Sequence, residues 1–184
     1  ASMWDEDNKI IFEKFINSPL VNHFKKVIIV PHEVNDSYLN YYCSVLEDKD
    51  FSFKKINQYQ NFNQFEEKYI IVNKVGFLSK LYAQSTITYV GGGFSKSGIH
   101  NIIEPAAASN PVIFGSNFLN SNKSDAEGLI DVSGGFSVDS YELFTEKINW
   151  LLDKNNYNNS SKNCKSFVTE NSGSTEKILK ELYE

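Results

Sequence analysis

Three short runs, Val27-Ile28-Ile29-Val30, Tyr69-Ile70-Ile71-Val72 and Val112-Ile113-Phe114, are apolar at every position rather than at every second one. A strand with one wet face alternates. One that is apolar throughout is covered on both faces, the habit of parallel sheets flanked by helices. Helical patterns separate the runs, at 35–46, 78–83, 124–130 and 140–152, and such alternation marks an α/β fold. The 184 residues suffice for one large domain with a real core, and no internal repeat or linker divides them. The expectation is a single α/β domain over 1–184, a Rossmann-like parallel sheet with helices on both faces.

The remaining segments fit that frame. Residues 5–15 are expected to be helical, with acids in the first turn. A helix over 35–46 is capped by Asn35 or Asp36. Short strands are expected at 51–56, 86–90 and 134–138, and a helix near 101–108. Asn155-Asn156 and Asn158-Asn159 read as a turn between helices, with closing helices at 160–169 and 174–182. A βα fold normally opens on a strand, yet Ala1-Ser2-Met3-Trp4 runs straight into a helix. The first strand is therefore expected to be absent, or the chain to be a piece of a longer protein.

Function concentrates in Tyr89-Val90-Gly91-Gly92-Gly93-Phe94-Ser95-Lys96-Ser97-Gly98-Ile99-His100-Asn101-Ile102-Ile103-Glu104-Pro105. This is strand, glycine loop and short helix. Glycines at the carboxyl end of a parallel strand let backbone approach a ligand, and a following helix turns free N–H groups towards an anion. Lys96 is either a solvated surface lysine or a phosphate contact. His100 is either structural or a donor to a phosphate oxygen. Asn101 and Glu104 have the spacing of a capping box; Glu104 has acceptor sites to spare for the hydroxyls of a ribose or sugar. Pro31 and His32 follow the strand 26–30 and so share the same rim.

Several chemistries are excluded. A Walker loop needs glycine before its Lys-Ser pair, but Ser95 precedes Lys96-Ser97. The dinucleotide fingerprint fails because Lys96 stands where the third glycine belongs. A net charge of −5 argues against general nucleic-acid binding, and no apolar run reaches the length of a membrane span. Three scattered histidines and two distant cysteines, Cys43 and Cys164, offer no metal site and point to a reducing compartment. The chain has no arginine, so any phosphate is met by a lysine point charge and not by a guanidinium fork.

The motifs resemble the C-terminal half of bacterial 3-deoxy-D-manno-octulosonic acid (Kdo) transferases, which are GT-B glycosyltransferases. The resemblance runs from Ala1-Ser2-Met3-Trp4 through Val30-Pro31-His32-Glu33 and Gly76-Phe77-Leu78-Ser79-Lys80-Leu81-Tyr82. It continues through the triple glycine, Gly98-Ile99-His100-Asn101-Ile102-Ile103-Glu104-Pro105, Pro111–Gly115 and Gly134–Val138. His-Asn-x-x-Glu-Pro after three glycines is its sharpest part. The segment 116–126 departs from the family pattern, with Asp125 in place of a glutamate, and no role is carried there.

The resemblance implies one half of a GT-B fold, the domain that binds CMP-Kdo, with the acceptor-binding N-terminal domain absent. It implies an inverting, metal-independent transfer of Kdo to a lipid A precursor, lipid IVA, in lipopolysaccharide biosynthesis, with no cofactor. Pro31, His32, Gly76, Phe77, Leu78, Gly91, Gly92, Gly93, Lys96, His100, Asn101 and Glu104 would bind the nucleotide. The general base would come from the missing half, leaving this chain soluble and inactive alone, while the full-length protein works at the cytoplasmic face of the inner membrane. Two alternatives stand beside this reading: the donor domain of a GT-B enzyme using a UDP- or GDP-sugar, or a non-catalytic nucleotide-sugar module.

Overall fold

The computed structural model describes residues 1–118 and 122–172. The helix expected at 174–182 and residues 119–121 lie outside them. The order is α1, β1 (Val27–Ile29), α2 (Asp36–Glu47), β2 (Phe53–Ile56), β3 (Tyr69–Val72), α3 (Leu78–Tyr82), β4 (Thr88–Val90), α4 (Ile103–Ala107) and β5 (Val112–Gly115). It closes with α5 (Lys123–Asp131), β6 (Gly135–Val138), α6 (Tyr141–Leu152) and α7 (Lys154–Asn171). Helix α1 is composite: an α turn Asp5–Asp7, a π stretch Asn8–Phe12 and a second α turn Glu13–Ile16.

Every strand pairing is parallel. The strands form two three-stranded sheets in the orders β1-β3-β2 and β4-β5-β6. The expected single sheet is thus two half-sheets, with β1 and β4 facing each other but not bonded together. Residues 1–3 stitch their carboxyl ends. Met3 N–H donates to the Val30 carbonyl (3.3 Å), His32 N–H to the Met3 carbonyl (3.0 Å) and Gly91 N–H to the Ala1 carbonyl (2.9 Å).

Both faces of each half-sheet are covered, as the unbroken apolar runs require. On one side Tyr69 and Ile71 meet Phe12, Ile16, Tyr42 and Leu46 of α1 and α2; on the other, Ile70 and Val72 meet Phe77 and Leu81. In the second half-sheet Val112 and Phe114 pack on Ile102, Ala106, Leu129 and Cys164, while Ile113 faces Ile11, Phe144 and Ile148. The period-two geometry of a strand sends successive residues into opposite cores.

One expectation is corrected. Residues 155–159 are not a turn, because α7 runs unbroken from Lys154 to Asn171. The change of direction is made at Asp153 alone, whose carboxylate accepts from the N–H groups of Asn155 (2.9 Å) and Asn156 (3.0 Å). Asparagine is only a few tenths of a kcal/mol worse than average inside a helix, so one strong cap and a packed inner face override it. That face includes buried Ser160 and Cys164, one turn apart. Cys43 and Cys164 are both buried free thiols, and burial pushes the Cys164 thiol up to about 12.

Candidate functional site

The carboxyl ends of β1 and β4 meet at a ring cluster. The Trp4 indole stacks on His32 with centroids 3.8 Å apart and planes 20° apart. Trp4 Nε1–H donates to His100 Nε2 at 2.7 Å, and the two imidazoles lie 4.5 Å apart. Nε2 of His100 is therefore an acceptor, which fixes the ring as neutral with its proton on Nδ1. Burial holds its pKa below the ordinary value, with His32 acting in the same direction and Asp7 against it. A bond from the His100 N–H to the Gly91 carbonyl (3.2 Å) ties the cluster to the glycine loop.

Beneath the rings lies Asp7, fully buried. Its Oδ2 accepts from Trp4 N–H and Gly92 N–H, both at 2.9 Å, and its Oδ1 accepts from the Tyr89 hydroxyl at 2.5 Å. Three donors satisfy a carboxylate that would otherwise be costly to bury. Burial first, and then Asp7, raise the Tyr89 hydroxyl well above its ordinary pKa, which keeps it a donor. Asp7 thus locks the start of α1 to the glycine loop.

Each glycine of the triplet has a protein neighbour that accounts for it. A Cβ on Gly91 would lie 2.2 Å from the Ser2 carbonyl oxygen. Gly92 has φ +99°, and its Cβ would fall 2.3 Å from the Gly98 oxygen. Gly93 and Gly115 press backbone on backbone: a Cβ on Gly93 would meet Gly115 Cα at 2.5 Å. Intramolecular packing demands these glycines whether or not a ligand is present. The loop is further latched by Asn117 N–H to the Gly93 carbonyl (2.9 Å) and by Asn122, whose amide donates to the carbonyls of Ile99 and His100 (both 3.2 Å).

Lys96 projects from this loop, exposed, with no hydrogen bond or ion pair among the described residues. Asn101 Oδ1 accepts from the N–H groups of Ile103 (2.9 Å) and Glu104 (3.3 Å). The expected capping box takes an altered form, because Glu104 Oε1 answers to the Asn101 side-chain amide (3.0 Å) and not to its backbone N–H. Glu104 is exposed, and its Oε2 is left without a partner among the described residues. Helix α4 has only five residues, so its dipole is small.

The remaining expected residues divide. His32 joins the ring cluster, whereas Pro31 is buried and bridges to Met3. Gly76 is exposed at φ +105° with open space around it. Phe77 is buried in the core with Ile56 and Val72, and Leu78 packs against the same cluster. What the 76–78 loop can offer a ligand is its backbone. Just before it, Asn73 Oδ1 is buried without a hydrogen-bond partner. Reasoning from sequence missed Asp7 and Asn122, and it quoted Trp4 and Tyr89 in motifs without giving either a role. For Asp7 the one signal was its place in the acidic first turn of α1.

No group of three or more His, Cys, Asp or Glu among the described residues is placed to hold a metal ion. A cavity of about 570 Å³ lies away from the rim, between the half-sheets, lined by Phe12, Phe24, Val27, Ile87 and Ile113 among others. Of the expected site residues only Leu78 borders it. No helix among the described residues is long and apolar enough to cross a membrane.

No protein-family model matches the chain. It is 28% identical over 191 residues to the 3-deoxy-D-manno-octulosonic acid transferase of Rickettsia bellii, covering 98% of this chain and 42% of that protein. It is 30% identical over 146 residues to a bifunctional glycosyltransferase/methyltransferase of Fusobacterium nucleatum, covering 79% of this chain and 22% of that protein. The chain thus spans less than half the length of the curated relatives it matches. The crystal structure of the C-terminal CMP-Kdo binding domain of WaaA from Acinetobacter baumannii superposes with a TM-score of 0.74 at 17% identity. It covers 91% of this chain and 86% of that one, and it establishes the α/β fold.

Proposed function

This chain is a homologue of the 3-deoxy-D-manno-octulosonic acid transferases over most of its length, and on that premise we propose that it is the part of such an enzyme that holds the CMP-Kdo donor. The observation that carries the reading is the arrangement at the strand ends. A loop cation (Lys96), a neutral imidazole (His100) and, in the first turn of α4, a carboxylate with one unengaged oxygen (Glu104) stand within nine residues of one another, after a glycine loop tied at Gly92 to Asp7.

Those groups suit a nucleoside monophosphate leaving group. As the glycosidic bond to the CMP phosphate breaks, the phosphate gains charge. A lysine point charge placed before the reaction stabilises that charge without reorganisation. His100, with Nε2 held by Trp4, has its Nδ1 proton left to donate. Glu104 Oε2 accepts from a ribose hydroxyl while Oε1 stays with Asn101. The backbone at Gly76 and the rim at His32 flank the nucleotide. The acceptor, a lipid A precursor, and the general base that deprotonates it belong to the rest of the longer protein, at the inner membrane's cytoplasmic face. Transfer proceeds with inversion and without a metal.

Calorimetric titration with CMP, UMP and GMP tests this. CMP should bind in preference. Glu104→Ala and Lys96→Ala should each weaken it by about 1–3 kcal/mol, the scale of losing a charged hydrogen-bond partner, and only the Lys96 loss should shrink at high salt. The chain alone should transfer no Kdo; sustained turnover by it, or equal affinity for all three nucleotides, sinks the reading.

A further inference from the structure

The three rings at the rim are joined in two different ways, and the difference gives Trp4 a task of its own. Trp4 meets His32 face to face, at 3.8 Å and 20°. It meets His100 edge to edge. Their ring planes are only 18° apart at a centroid distance of 5.9 Å, and the 2.7 Å bond from Nε1–H to Nε2 runs between the edges. The lone pair of an imidazole nitrogen lies in the ring plane, so a near-coplanar donor engages it fully. An indole N–H can only donate. A proton on His100 Nε2 would set two donors against each other at 2.7 Å. His100 therefore takes up no second proton while Trp4 holds its place.

Neither partner is free to turn away. The Trp4 N–H donates to Asp7 Oδ2 and its carbonyl accepts from Asn8 N–H, both at 2.9 Å, while its face lies on His32. His100 donates its backbone N–H to the Gly91 carbonyl (3.2 Å), and its own carbonyl accepts from the Asn122 amide (3.2 Å). His32 also leans over His100, with 4.5 Å between centroids and 37° between planes. The titratable groups that bear on His100 from elsewhere are His32 after β1, Asp7 in α1 and the Ala1 amine. Lys96 and Glu104, on its own segment, are exposed.

We propose that Trp4 is a positioning residue whose indole N–H locks His100 in the neutral form with its proton on Nδ1, so that the rim keeps a fixed donor for an anion at pH values where a free imidazole takes up a second proton. The other ring nitrogen is what the lock acts through, since the bond one nitrogen makes decides which of the two carries the proton. A free imidazole favours the opposite tautomer, with its proton on Nε2. Trp4 thus selects against the ring's own preference as well as against its charge. Burial of His100, which disfavours the imidazolium, works in the same direction. Only the identity of the anion, the phosphate of CMP, rests on the donor reading.

Trp4→Phe tests this, because it keeps a ring on His32 and removes the N–H. In the ligand-free chain, imidazole nitrogen NMR shifts should place the His100 proton on Nδ1 in the wild type and largely on Nε2 in the variant. The midpoint of the His100 titration should rise in Trp4→Phe by about one pH unit, the worth of one hydrogen bond. CMP titration should then show a defect that acid repairs. At about pH 8 the variant should bind CMP about 10-fold more weakly than the wild type. At about pH 5.5, below the ordinary histidine value, the gap should close, because an imidazolium carries a proton on Nδ1 whatever Trp4 does. Comparing the two proteins at each pH cancels the ionisation of CMP itself. A wild-type His100 protonated on Nε2, or a defect of equal size at both pH values, overturns the proposal. A wild-type chain that binds no CMP sinks the donor reading instead, and the tautomers of the ligand-free chain still decide for or against the lock.

Discussion

Gly93 and Gly115 show how a residue-scale motif carries a structural demand. The triplet Gly91–Gly93 marks the loop in the sequence, but its reason, backbone pressed against Ser2, Gly98 and Gly115, is invisible there because the neighbours are distant in the chain. Gly93→Ala should therefore destabilise the fold by about 3 kcal/mol, the upper range for forcing an atom into packed space, read as a fall in the denaturation midpoint at unchanged m-value. His100 gives a second expectation. Its folded pKa lies below the ordinary histidine value, so as pH falls through about 6.5 the unfolded chain takes up the proton first. Stability should fall over that window and continue falling towards the lower folded value. His100→Gln should flatten this stretch of the stability–pH curve.

Strands and most helices were legible as elements because their signals are local. Continuous apolar runs gave β1, β3 and β5, and Asn35 and Ser140 cap α2 and α6 with side-chain bonds to Tyr38 N–H (3.0 Å) and Leu143 N–H (3.3 Å). Two elements were less legible. Helix α1 holds a π stretch at Asn8–Phe12 that leaves Asn8 buried beside the buried Asp7, with Asn8 Oδ1 accepting from the Tyr42 hydroxyl at 2.7 Å. Such π segments cluster at functional sites, and nothing local in the sequence announces one. Helix α7 was obscured by its asparagines, since the cap at Asp153 outweighs them. Asp153→Ala should remove both cap bonds and cost about 1 kcal/mol, seen as a lower Tm and fraying of the first turn of α7 in amide exchange.

At the scale of the whole molecule the α/β class followed from the apolar runs, and the gap between β1 and β4 did not. Apolar runs show which segments are strands but not which of them pair, and it takes coordinates to show that the six described strands divide into β1-β3-β2 and β4-β5-β6. The candidate site was readable in the same uneven way. Lys96, His100, Asn101 and Glu104 are contiguous, and the loop motif located them. Trp4 and Asp7 are nearly a hundred residues away and reach the loop only because α1 starts where the two half-sheets meet.

The placing of Trp4 has an optical consequence. The chain has two tryptophans. Trp150 sits 40% exposed on α6 beside Phe136, whereas Trp4 is sandwiched into the rim, stacked on one imidazole and bonded to another. Imidazoles in such contact quench indole emission, so Trp4 is an intrinsic fluorophore wired to His100. In a Trp150→Phe background, adding CMP should change the intensity and wavelength of the remaining emission, and His100→Gln should alter its starting level. The protein would then report its own occupancy in light, with no label attached.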